Sequence, residues 1–250
     1  MNESREPWVN HVNQPTDAFD SLRSQYEELA ELAGSLAHEI KNPLSIIHMN
    51  IDLLSEDLQE MDSRVSRRLL DRVDMVRQQC DRMEALLRDF LRYARLRDID
   101  LIPGSLNEQV DTVLRAYQAQ ADVNGIGIER YLDNDLPAIL LHSDSLQSAL
   151  MNLVKNALEA MGPGGELWAR TYPTRGGVAL DLIDSGMGVD DHTVLHMFEP
   201  FYTTKQGGSG LGLPTARKII EAHGGRISVQ SELGRGTKFT LEFPVPKRLG

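Results

Sequence analysis

The apolar positions of the chain fall into two regimes. From Leu22 they recur in alternating three- and four-residue steps, Leu22, Tyr26, Leu29, Ala33, Leu36, Ile40 and then Leu44, Ile47, Ile51, Leu54, Leu58. That is the period of a long amphipathic helix with a coiled-coil seam. The step from Ile40 to Leu44 skips a heptad position beside Pro43, whose nitrogen has no proton to donate, so the seam shifts and the helix is expected to bend there. After a polar break near residues 61–64 a second stripe runs Val65, Leu69, Val73, Val76, Cys80, Met83, Leu87, Phe90, Ala94. Two such helices predict a hairpin within residues 21–100. A lone hairpin leaves one apolar stripe uncovered, and a second copy of the chain covers it in a four-helix bundle, so a homodimer is expected.

At Pro103 and Gly104 the period breaks. The pattern then predicts helix over 106–121, strands over 126–132 and 138–141, and a helix over 143–161 begun by a Ser/Asp cap. Strands follow at 166–172 and 178–183, then a short helix over 191–197 and a Gly-rich loop. A helix over 211–223 stops at Gly224 and Gly225, and strands at 226–230 and 238–244 close the domain. Strands interleaved with helices, several joined by hairpin-length turns, predict an α/β sandwich over 104–247 with helices on one face of a mixed sheet. The expected class is therefore α+β, a dimerising hairpin followed by a sandwich. Residues 1–20, polar and carrying Pro7 and Pro15, read as a tail or linker too short to be a sensor domain.

Composition narrows the function. The 250 residues are 41% hydrophobic and 25% charged, which suits one or two globular domains. Lys and Arg number 26 against 37 Asp and Glu, a formal net charge of -11 that argues against a nucleic-acid partner. No apolar run approaches the roughly 18 to 20 residues of a membrane helix, and the polar start lacks a signal peptide's basic and apolar regions. A cytoplasmic protein without membrane insertion is expected. The single cysteine, Cys80, closes no internal disulfide and builds no thiolate cluster, so any metal must be held by oxygen or imidazole.

Four segments carry candidate chemistry. His38 falls on the helix face opposite the seam and points to solvent, and taken alone it reads as a solvated histidine. His38-Glu39 opens like the zincin pattern His-Glu-x-x-His, but Asn42 stands at the second ligand position, so a zinc protease is not supported. Asn152, Asn156 and Glu159 share one face of a helix whose Leu153, Val154, Ala157 and Leu158 form the buried side. Amide oxygens there can share a hard, hydrated cation with phosphates without adding negative charge, although an ordinary polar face has the same spacing. Asp184-Ser185-Gly186-Met187-Gly188 follows an apolar strand, where a buried carboxylate can accept from an exocyclic amine and glycines let backbone approach a flat ring, or where a common turn would sit. Gly207 to Gly212 leads into a helix, and glycines at a helix N-terminus make a phosphate cradle. A Rossmann site fails because Phe198 to Lys205, not a strand, precedes this loop. A Walker loop fails because no Gly-Lys-Ser/Thr ends it. His192 and His196, one helical turn apart, form a pair without further metal ligands.

In this order the motifs resemble those of the histidine kinases of bacterial two-component systems, over about residues 25–245. His38-Glu39-Ile40-Lys41-Asn42-Pro43 is similar to the family's H box, Asn152 to Asn156 to its N box, Asp184 to Gly188 to its first glycine box, Phe198 to Tyr202 to its F box and Gly208 to Gly212 to its second glycine box. The resemblance implies a dimerisation and histidine-phosphotransfer hairpin followed by an ATP-binding domain of the Bergerat type. It implies that ATP with Mg2+ phosphorylates His38, and that the phosphoryl passes to an aspartate of a separate response regulator. The short lid between Phe201 and Gly208 resembles the nitrogen-regulator subgroup.

Carried over residue by residue, the resemblance makes Asn156 the Mg2+ ligand, with Asn152 and Lys155 on the metal and phosphate side. Asp184 becomes the adenine-reading carboxylate, and Gly186 and Gly188 shape that pocket. Gly208, Gly210, Leu211 and Gly212 form the lid and phosphate loop, Lys205 reaches a phosphate, and Phe198, Phe201 and Tyr202 are packing residues that govern the lid. Glu39 takes a ring proton from His38 or is a surface carboxylate paired to an arginine. Asn42 holds a water for dephosphorylating the regulator or accommodates the bend at Pro43. An ATP-hydrolysing relative of the same fold would carry a glutamate where Asn152 stands, and an amide is no base, which favours transfer. A non-catalytic scaffold would show eroded motifs, whereas His38, Asn156, Asp184 and the glycines are all present.

Overall fold

The computed structural model describes residues 40–42, 44–56, 58, 64–95, 99–205 and 208–246. By its internal contacts the chain divides into two units between Leu87 and Arg88. In the first unit, helix α1 covers residues 44–56 and helix α2 begins the run Arg64–Arg95. Leu44, Ile51 and Leu58 close on Val73 and Cys80, with Ile40 and Leu70 packed alongside. These buried residues are spaced by sevens. The alternate seam members Ile47, Leu54, Leu69, Val76 and Met83 remain exposed. One heptad position thus closes the hairpin and the other is bare, as expected when a single hairpin carries a bundle's full seam. The bend expected at Pro43 and residues 61–63 of the expected break lie outside the described residues, and Arg64 already belongs to α2.

The second unit holds helices α3 (Leu106–Val123), α4 (Ser143–Met161), α5 (Asp191–His196) and α6 (Gly212–Ala222) and strands β1 (Ile102–Gly104), β2 (Gly127–Tyr131), β3 (Ile139–Leu141), β4 (Glu166–Pro173), β5 (Gly177–Asp184), β6 (Arg226–Glu232) and β7 (Gly236–Pro244). Five strands form one sheet in the order β2-β4-β5-β7-β6. β2 pairs parallel with β4, and the other neighbours pair antiparallel. Alternation along the strands sends Val178, Leu180 and Leu182 of β5 and Phe239, Leu241 and Phe243 of β7 into one core. There they meet Leu146, Leu150 and Leu153 of α4 and Ala216, Ile219 and Ile220 of α6. The other face is polar at its centre, where Asp181 pairs with Lys238 at 2.9 Å and accepts from the Thr240 hydroxyl at 2.7 Å. The expected sandwich with helices on one face of a mixed sheet is the architecture found.

Two local expectations are corrected. Residues 102–104 are not a simple break but the strand β1, paired antiparallel with β3 from Ile102 opposite Leu141 to Gly104 opposite Ile139. Three residues are too few to display a period of two. The cap of α4 is not Ser143 or Asp144 but His142, whose Nδ1 accepts the backbone N–H of Ser145 at 3.3 Å. An imidazole nitrogen does here what a hydroxyl or carboxylate oxygen does at most helix starts.

Candidate active site

A cleft of about 490 Å³ opens in the second unit between α4 and the segment joining α5 to α6. Because Leu150, Leu153, Val154 and Ala157 occupy the buried face of α4, the helical period turns Asn152, Asn156 and Glu159 toward the cleft. Lys205 reaches across from the opposite side. Its Nζ donates to Asn156 Oδ1 at 2.7 Å and to Glu159 Oε2, while Lys155 Nζ stands 3.8 Å from Glu159 Oε1.

The far wall is built by Asp184, the last residue of β5, which is 3% exposed. Its Oδ1 accepts the N–H of Gly186 at 2.9 Å and of Thr237 at 3.2 Å. Among the described residues no bond is made to Oδ2, so one oxygen is fixed by backbone and the other is available to a ligand. Burial pushes this carboxyl above its ordinary range, and the two backbone donors partly offset that shift. Gly186 and Gly188 sit behind the wall rather than on it. A Cβ at Gly186 would lie 2.9 Å from the Ala160 carbonyl oxygen, and at Gly188 2.1 Å from that of Glu232. Their small size lets the loop lie against α4 and the β6–β7 turn, which fixes the angle of Asp184.

The third side is the lid. Phe198 meets Phe239 edge-on at 6.5 Å, and the Tyr202 hydroxyl donates to Thr193 Oγ1 at 3.3 Å, so both tie the segment after α5 to its surroundings. Phe201 departs from its expected packing role: it is 62% exposed and holds φ at 68°. Its N–H donates to the carbonyl of Gly210 at 3.0 Å, and a Cβ at Gly210 would lie 2.5 Å from the Phe201 carbonyl carbon. This backbone pairing is the base of the lid, where the chain leaves and returns. Within the lid the N–H of Gly208 donates to the carbonyl of Lys205 at 3.2 Å. Leu211 is buried and caps α6 without any side-chain hydrogen bond, and Gly212, Leu213 and Pro214 line the cleft. The partial positive charge of the α6 N-terminus is therefore presented to the cleft. Pro214 lies in the first turn, where its missing N–H costs nothing.

These features fit an adenine nucleotide with a divalent cation. Asp184 offers a free carboxylate oxygen for an amine, and the α6 terminus and glycines suit phosphates. The oxygen of Asn156 already accepts from an ammonium group, and a neutral amide oxygen suits a hard ion shared with phosphates. Asn152, Lys155, Asn156, Asp184, Lys205, Gly208, Gly210 and Gly212 share the cleft wall. Asn42 is helical and exposed in the first unit, and His38, Glu39 and Gly207 lie outside the described residues. The rings of His192 and His196 lie 4.6 Å apart, tilted by 44°, but His196 Nδ1 is held by Glu199 at 2.8 Å. Among the described residues no group of three His, Cys, Asp or Glu is placed to hold a metal. The sequence concealed Thr237, which acts through its backbone N–H, and the pairing of Glu159 with a lysine 46 residues away.

An ATP-binding α/β sandwich preceded by a helical hairpin defines a class, and comparison gives the family. Residues 142–247 match the histidine kinase-, DNA gyrase B- and HSP90-like ATPases, and residues 28–99 match the His kinase A (phospho-acceptor) domain. The chain belongs to the histidine kinases of bacterial two-component systems. It is 36% identical over 241 residues to the sensory histidine kinase/phosphatase NtrB of Rhizobium leguminosarum bv. phaseoli, covering 90% of this chain and 61% of that one. The full-length ShkA structure with AMPPNP superposes with a TM-score of 0.68 at 28% identity, covering 86% of this chain and 45% of that chain. The structure of ThkA with the response regulator TrrA superposes with a TM-score of 0.65 at 25% identity, covering 95% and 68%. The chain spans 29% to 61% of the length of the first curated relatives it matches.

Proposed function

We propose that this chain is an ATP-dependent, autophosphorylating histidine kinase that acts as a cytoplasmic homodimer and passes its phosphoryl group to an aspartate of a separate response regulator. The observation that carries the reading is one cleft holding both the partner-free Oδ2 of Asp184 and the cation-accepting Oδ1 of Asn156, with the uncapped start of α6 between lid and wall. The phosphotransfer hairpin is assigned to residues 21–100, the ATP-binding domain to 104–247, and 1–20 to a tail. The bare heptad of the hairpin supports the homodimer. The likeness to ThkA in its complex with TrrA supports the regulator, and among the described residues no helix is long and apolar enough to cross a membrane.

In this reading Asp184 accepts from the adenine amine, and Gly186 and Gly188 hold it in place. Asn156 supplies an oxygen to Mg2+ with Asn152 and Lys155 beside it, and when bound the ion neutralises phosphate charge and orients the transferred group. Lys205, Gly208, Gly210 and the N–H groups following Leu211 and Gly212 hold the phosphates. A ring nitrogen of His38 attacks the γ-phosphorus in line. A P–N bond forms as the bond to the β–γ bridging oxygen breaks, ADP departs, and Glu39 takes the proton from the other ring nitrogen. Asn152 is an amide and activates no water, which sets transfer above ATP hydrolysis. Asn42, exposed on its helix, is assigned a water-positioning role in dephosphorylating the regulator, as the kinase/phosphatase name of the NtrB relative suggests. The test is incubation with Mg2+ and γ-labelled ATP. Label that is acid-labile, base-stable and lost in His38→Gln supports the assignment, and label that survives acid or persists in that variant overturns it.

A further inference from the structure

Glu159 has no part in the reaction just described, yet it is the carboxylate that holds Lys205. Lys205 Nζ donates both to Glu159 Oε2 and to Asn156 Oδ1, the latter at 2.7 Å. Its ammonium therefore occupies the oxygen assigned to the divalent ion and spends its charge on a carboxylate of the protein. A divalent ion on that oxygen repels an ammonium at hydrogen-bond distance, so loading the cleft with a metal nucleotide moves Lys205 off Asn156 while leaving its contact with Glu159 open. Its tether is short: the Lys205 N–H donates to Thr203 Oγ1 at 3.1 Å, and the lid base is closed by the Phe201 to Gly210 backbone bond. An exchange of partners by Lys205 would therefore be local, and Lys155, 3.8 Å from Oε1, would keep Glu159 from being stranded without a cation.

We infer that Glu159 is a competing anion for the lid lysine, which Lys205 leaves only for the terminal phosphate of a nucleoside triphosphate, so that Glu159 sets how strongly the cleft distinguishes triphosphate from diphosphate. The γ-phosphate carries more charge than a carboxylate, so within reach of Lys205 it draws the lysine away. A diphosphate lacks that group, and Lys205 stays on Glu159. Triphosphate binding therefore gains one ion pair and gives up another, and diphosphate binding does neither. The inference rests on the nucleotide-site reading proposed above.

Calorimetric titration of the full chain with Mg2+ and either AMPPNP or ADP tests it. Glu159→Gln should bind AMPPNP about threefold to fivefold more tightly, the scale of a half-exposed ion pair, and leave the ADP affinity unchanged. Lys205→Met should lose most of the preference for AMPPNP over ADP, and on that background Glu159→Gln should change nothing. If Glu159→Gln tightens AMPPNP equally in the presence and absence of Lys205, the carboxylate acts by plain repulsion and the exchange is wrong. Unchanged or weaker AMPPNP binding by Glu159→Gln with ADP binding intact overturns the exchange alone. Failure of the unsubstituted chain to bind either nucleotide overturns the exchange together with the nucleotide site.

Discussion

The backbone N–H of His142 donates to Nε2 of His223 at 3.0 Å, joining the cap of α4 to the cap of α6. These are the two helices that flank the cleft. His223 is buried, and its Nδ1 lies 2.7 Å from the carbonyl of Ile219, so a neutral ring with its proton on Nδ1 satisfies both partners. A protonated ring would turn a second N–H against the N–H of His142. Burial accordingly holds this imidazole below its ordinary value of 6.5.

Stability should follow that shift. Above pH 6.5 both folded and unfolded chains hold the ring neutral, and the contribution is complete. As the pH falls below 6.5 the unfolded chain takes up a proton that the folded ring refuses, so stability is lost until the depressed folded value is reached. Urea unfolding of the second unit at neutral and mildly acidic pH measures the slope. His223→Leu should be less stable at neutral pH by about 1–3 kcal/mol, the cost of an unmet buried N–H, yet show a flatter pH dependence. An equally steep dependence in that variant would assign the loss to other groups.

Asp184 should govern nucleotide affinity without governing the fold. Its backbone bonds fall on Oδ1, which an asparagine oxygen can take over, but the amide nitrogen would then face a ligand amine, donor to donor. Asp184→Asn should weaken ADP binding by about 1.5–3 kcal/mol, the range of a hydrogen bond to a charged group, with little change in melting temperature. Because burial raises this carboxyl, ADP affinity should also fall on acidification sooner than an ordinary aspartate would dictate. Calorimetric titration across pH separates the two effects, and full affinity in the variant would remove Asp184 from the site.

The two heptad positions of the hairpin make different predictions. Leu54→Glu and Val76→Glu change residues left exposed in one chain, and together they should convert a dimeric mass to a monomeric one in light scattering while helicity is kept. Ile51→Glu instead buries a charge among Leu44, Val73 and Cys80 and should cost helicity itself. A dimer that survives the double substitution would mean that another surface holds the copies together.

What the sequence disclosed and what it hid follow from physical range. The heptad spacing of Leu44, Ile51 and Leu58 and the alternation of Val178, Leu180 and Leu182 are repeated signals, so the hairpin and the sheet were legible. Asn152, Asn156 and Asp184 were legible because side-chain chemistry names them, and the structure sets all three on one cleft. The cap at His142 was hidden because its partner is a backbone N–H and imidazole is a rare cap. Glu159 was assigned to a polar face of α4, but its meeting with Lys205 depends on how the lid folds back. Phe201 misled because an aromatic residue is by default a packing residue, and only its φ reveals the corner it makes.

That corner gives the most discriminating test of the lid. An L-residue in the left-handed region costs about 1–2 kcal/mol relative to the right-handed one, a cost glycine does not bear. Phe201 holds φ at 68° while 62% exposed, so its ring contributes little packing to set against that cost. Phe201→Ala keeps the unfavourable backbone and loses the small packing term, whereas Phe201→Gly relieves the backbone. The glycine variant should therefore be more stable than the alanine variant by about 1 kcal/mol, the reverse of the usual order of these two residues. Melting temperatures of the two variants measured side by side decide it. If both lose about 3–5 kcal/mol, the size of a buried phenylalanine, the ring packs in solution and that packing outweighs the cost of the left-handed corner.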